Sequence, residues 1–96
     1  MASRKNLLDA IAGCKEALRA ANEAHAEAVI RASQNEAIAR VRPVGVSEAM
    51  WLQSRAIIAA NDTAIIESCI NRAVTAEERI RICKDELSKL PLDASE

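Results

Sequence analysis

Phenylalanine and tyrosine are missing altogether, and Trp51 is the single aromatic residue in a chain of 96. A globular core normally draws much of its buried area from aromatic rings. This chain draws instead on Ala, Ile, Leu and Val, whose many small members favour close helix–helix approach over a thick centre. Glycine and proline number two each. A β-rich fold needs a turn signal roughly every 8–12 residues, so it is excluded. No segment approaches the ~18 consecutive apolar residues of a membrane span. No apolar stretch follows Met1-Ala2-Ser3-Arg4-Lys5, so no secretory signal is expected and the cytoplasm is the default location. The cysteines, Cys14, Cys69 and Cys83, are odd in number, form no CxxC and meet one histidine. That argues against a disulfide scaffold and a Cys/His zinc site, and for reduced, buried thiols. Charge is also unremarkable, at −1 overall. Residues 1–47 carry seven basic and five acidic side chains, and residues 48–96 carry six and nine. Neither half is a polybasic arm or an acidic mimic of nucleic acid.

What is present is helical periodicity. From about residue 6 to 41, the residues Leu7, Ile11, Cys14, Leu18, Ala21, His25, Ala28 and Ala32 alternate spacings of four and three. This is a heptad seam held for about four repeats, bulky at its start and small in the middle. Asn6 with Asp9 resembles a capping pair, and Ser3 is the alternative cap. Val29, Ile30, Ile38 and Val41 fall off the seam and open a second apolar face.

The strongest punctuation is Arg42-Pro43-Val44-Gly45-Val46-Ser47. Pro43 disfavours helix before it and Gly45 permits a reversal. Ser47 is a natural N-cap followed by Glu48, and Val46 and Trp51 occupy the two staple positions. A second helix is predicted over about 48–90, ended by Pro91, with an acidic tail over 91–96. Its bulky residues come as the doublets Ile57-Ile58, Ile65-Ile66 and Cys69-Ile70, wider than one coiled-coil seam. Ile80, Cys83, Leu87 and Leu90 then restore a narrow stripe. Asn61-Asp62-Thr63 is poor helix-forming chemistry. Thr75-Ala76-Glu77-Glu78 spells a capping box, so a third helix from about residue 75 is the alternative to one continuous helix.

The expected architecture is all-α: one domain, a long antiparallel helical hairpin with its turn at 42–47. A turn centred near Gly45 makes residue i face approximately residue 90 − i. Leu7 then meets Cys83, Ala21 meets Cys69 and Ala32 meets Ile58, and Cys14 lies about 10 Å along the axis from both other thiols. Two helices cannot each bury two apolar faces, whereas two hairpins can as a four-helix bundle. Ile57, Ile58, Ile65, Ile66 and Ile70 are therefore the expected self-association residues, in a homodimer or a higher oligomer.

Chemistry-bearing motifs are sparse. There is no nucleophile–base pair, Gly-rich phosphate loop or HExxH. His25 has acids at ±2, on other faces of its helix, and position 22 is Asn where an ExxH motif needs acid. No catalytic, cofactor-binding or metal-binding residue is expected, and no cofactor. The segment Arg42-Pro43-Val44, with Glu48 and Arg55, is faintly similar to the second region of helical chorismate mutases. That resemblance implies a small dimeric enzyme binding a dicarboxylate. The first helix departs from the pattern, since Arg19 is the only basic residue from Glu16 to Ile30. Arg31, Arg40, Arg42 and Arg55 near the turn also admit a nucleic-acid-binding hairpin, but the chain is not basic and offers no clear stacking aromatic. The favoured expectation is a non-enzymatic protein-interaction module, a regulator, adaptor or inhibitor of the sort small phage and mobile-element proteins often are. Arg40, Arg42, Trp51 and Arg55 form its candidate partner-binding tip, where arginines gather beside a helix N-terminus.

Overall fold

A computed structural model describes residues 3–91. Two helices pack antiparallel, α1 over Arg4–Ala39 and α2 over Glu48–Ser88, and no strand occurs among the described residues. The result is a rod of 73 × 16 × 14 Å. Its radius of gyration is 21.4 Å, against about 12 Å for a compact chain of this length.

Local chemistry explains both helix starts. The Ser3 hydroxyl accepts a hydrogen bond from the Asn6 N–H at 3.1 Å, so Ser3, not Asn6, caps α1. The Ser47 hydroxyl does the same for the Met50 N–H at 3.2 Å. Each satisfies one of the donors that a helix N-terminus leaves unpaired. Between the helices, the Val46 N–H donates to the Pro43 carbonyl at 3.3 Å, with Gly45 at φ 86°. A positive φ at the third turn residue is the reason glycine stands there.

α2 is continuous, as the favoured reading expects, and neither alternative break occurs. Thr75 lies within a continuous helix, so there is no third helix. Over Asn61-Asp62-Thr63 the helix also holds, because Asp62 is turned inward to accept from Asn35. Tertiary contact outweighs weak propensity at these positions.

The predicted α1 seam is present in full. Leu7, Ile11 and Ala21 are buried, and Cys14, Leu18, His25, Ala28 and Ala32 are half-buried. The same spacing continues to half-buried Asn35 and Ala39. On α2 the inward line runs through Trp51, Arg55, Asp62, Ile66, Cys69, Ala73, Ala76, Ile80, Cys83 and Leu87, and half-buried Leu90 follows just past its end.

The register differs from the turn-centred expectation. Asn35 was expected opposite Arg55 but bonds to Asp62, two helical turns further along α2. At the far end the Arg4 guanidinium donates to the Pro91 carbonyl at 3.1 Å. The cause is geometric. An extended connection advances about twice as far per residue as a helix. Residues 40–47 therefore carry the chain well past the end of α1, and α2 spends its first turns returning. The shift also changes the cysteines. Cys14 and Cys83 line one shallow cleft of ≈ 420 Å³, instead of lying a clear interval apart. All three thiols are free.

The packing is thin. Leu7, Ile11, Ala21, Cys69 and Ala76 are the buried apolar residues among those described, and none lies between residues 22 and 68. The half of the rod near the turn thus has no buried side chain.

Candidate functional site

Two regions bear on function: the tip around the turn and the lateral surfaces of the rod.

At the tip, Trp51 is half-buried one turn into α2, and its indole N–H donates to the Ala39 carbonyl at 3.0 Å. That carbonyl ends α1 and has no partner within the helix. The indole therefore ties the end of one helix to the start of the next. Val46, the other expected staple residue, is half-buried. The Arg55 guanidinium lies 4.9 Å from the centre of the Trp51 ring, a cation–π arrangement that turns this charge onto the indole. Arg40 is exposed and pairs with Glu36 at 3.5 Å, one turn back on its own helix. Arg42 is exposed and makes no ion pair or hydrogen bond among the described residues. The structure thus brings Trp51 and Arg55 together and turns Arg40 toward an acid. Around them stand apolar side chains open to solvent, including Ile38, Val41, Val44 and Met50.

Just inward of the tip sits the Asn35–Asp62 pair, with the Asn35 amide donating to both carboxylate oxygens at 3.3 and 3.1 Å. It is part-buried between the helices. A polar pair placed in a small seam favours one axial alignment over its neighbours. Residue type did not reveal this role: Asn35 reads as polar surface and Asp62 as a helix weakness until the register is known.

Along the sides, the expected self-association residues divide. Ile57, Ile58, Ile65 and Ile70 are exposed, Ile57 by 61%. Ile66 is half-buried and belongs to the seam. Further exposed apolar residues are Leu8, Val29, Ile30, Leu52, Val74 and Ile82. A cleft of ≈ 580 Å³ runs open to solvent along α2. Arg72, Thr75 and Arg79 line one side, and Cys14 and Ala17 of α1 the other. It is a groove between ridges, not an enclosed chamber.

Surface charge is handled locally. Arg19 bridges Glu16 and Glu23 at 2.6 and 2.7 Å, and Arg81 pairs with Glu78. Hydrogen bonds from these arginines hold the Glu16 and Glu78 carboxyls below their ordinary range. Such exposed pairs support a helix weakly and mark no reactive group. Among the described residues no helix is long and apolar enough to cross a membrane, and no group of three His, Cys, Asp or Glu side chains is arranged to hold a metal ion. Compared with known proteins, the chain matches no family model, no curated protein and no solved structure.

Proposed function

We propose that this chain is a non-catalytic helical-bundle interaction module, a regulator, adaptor or inhibitor that acts by laying its apolar surface against other helices. One observation carries the reading. Among the described residues five apolar ones are buried, while fourteen large ones are exposed, among them Ile38 by 75% and Met50 by 62%. Large apolar side chains exposed in this number, against so few buried, suit a chain that docks on a partner. Each isoleucine moved from water to a packed interface contributes on the order of 1.5–3 kcal/mol. A cytoplasmic setting accords with three unpaired cysteines.

The test is affinity capture from the native host's lysate with two baits, the wild-type chain and an Ile57→Glu/Ile65→Glu variant. Because both side chains are exposed, the variant keeps the seam intact. A stoichiometric partner held by the wild type and lost by the variant is the expected result. A partner held equally by both would refute docking through these faces.

A further inference from the structure

We infer that the occupant of this surface is a second copy of the chain, docked through the half of the rod nearest the turn. This rests on the interaction reading above and specifies its partner. Three features point the same way.

The first is the distribution of charge. Over residues 49–66, eighteen positions of α2, the only charged side chains are Arg55 and Asp62. Both are half-buried and engaged, Arg55 over the Trp51 ring and Asp62 with Asn35. The outward surface of about five turns is therefore uncharged and carries Met50, Leu52, Ile57, Ile58 and Ile65, all exposed. An uncharged helix surface that carries large apolar side chains suits a neighbour laid against it. Here α1 covers one side only. Beyond residue 70 the same helix returns to dense charge, with nine Asp, Glu, Lys and Arg side chains between residues 71 and 89.

The second is the core. Every buried side chain among the described residues lies in the other half of the rod, at Leu7, Ile11, Ala21, Cys69 and Ala76. Ten of the fourteen exposed large apolar residues fall between positions 29 and 65. The half that lacks a core is the half that exposes the material for one.

The third is area. The chain exposes 7150 Å², whereas a compact monomer of 10.4 kDa exposes about 5400 Å². The excess is about 1750 Å² per chain, and a stable interface needs about 800 Å² from each partner. Half the excess would suffice.

The experiment is sedimentation equilibrium of the full chain, run beside a dilution series that follows Trp51 emission. Trp51 is the only tryptophan and lies in the half of the rod proposed to dock, between exposed Met50 and Leu52. A dimer is expected, with Trp51 emission changing across the same concentration range as dissociation. Ile57→Glu/Ile65→Glu should weaken association by at least ~100-fold. Leu8→Glu/Ile82→Glu, exposed in the other half, should change it by less than about 3-fold. Trp51 emission in the wild type needs no variant to fold. A dimer whose dissociation leaves Trp51 unchanged, or one disrupted only by the Leu8/Ile82 pair, would overturn the location. A monomer at about 100 μM would overturn the second copy. If that monomer bound a hydrophobic dye and lost it with Ile57→Glu/Ile65→Glu, the interaction reading would stand with another occupant. If it bound no dye, both would fail.

Discussion

Removing the Asn35–Asp62 contact tests whether a single polar pair holds the hairpin in register. The amide reaches both carboxylate oxygens, at 3.3 and 3.1 Å, between helices that otherwise meet there through alanines and isoleucines. A hydrogen bond to a charged group contributes about 1.5–3 kcal/mol when well formed and buried. These bonds lie at the long end of the range and the pair is only part-buried, so about 1 kcal/mol is the expected coupling. Asn35→Ala alone should cost more than the coupling, because it also leaves the Asp62 carboxylate against an apolar seam. Asn35→Leu with Asp62→Leu should be close to neutral in stability, since an apolar pair replaces a polar one without an unpaired group. The assay is a double-mutant cycle by urea unfolding, with all four proteins at one chain concentration because self-association raises apparent stability. A coupling below about 0.3 kcal/mol would show that the contact is incidental and that the register is set by the turn or by packing.

Other outcomes follow from single positions. A Cβ at Gly13 would meet nothing within 4 Å inside α1, so Gly13→Ala should stabilise by about 0.8–1 kcal/mol in thermal unfolding. Gly45→Ala has equal space but a backbone at φ 86°, and should destabilise by about 1 kcal/mol; the opposite signs of the two changes are the check. Trp51→Phe keeps the ring but loses the bond to the Ala39 carbonyl, at an expected cost of about 1 kcal/mol in urea unfolding. Glu16 and Glu78, both fully exposed, are held below the ordinary carboxylate value of 4.5, first by hydrogen bonds from Arg19 and Arg81. A depressed folded-state value contributes stability above 4.5 that is lost as the pH falls through the lowered values. Side-chain carbon NMR should therefore find both titrating below 4.5; ordinary titration would show the surface pairs to be unformed in solution.

Several features were legible from residue order alone. The heptad stripe from Leu7 to Ala32 names the inward face of α1, because helical geometry converts a four–three spacing directly into one side of a cylinder. Pro43, Gly45 and Ser47 place the reversal and the start of α2, because each acts through its own backbone or nearest neighbours. The surplus of isoleucine over what two helices can enclose is likewise a matter of counting faces. The tertiary structure alone decided what depends on two distant segments meeting. It set the axial register, since the length spanned by residues 40–47 is a property of the folded connection. It made Asp62 a partner for Asn35 instead of a helix break, and it turned Trp51 toward Ala39. It also divided the rod into an end with buried side chains and an end without. Local rules act over one turn of helix, whereas register and burial are relations between residues about thirty to ninety positions apart, which no single segment encodes.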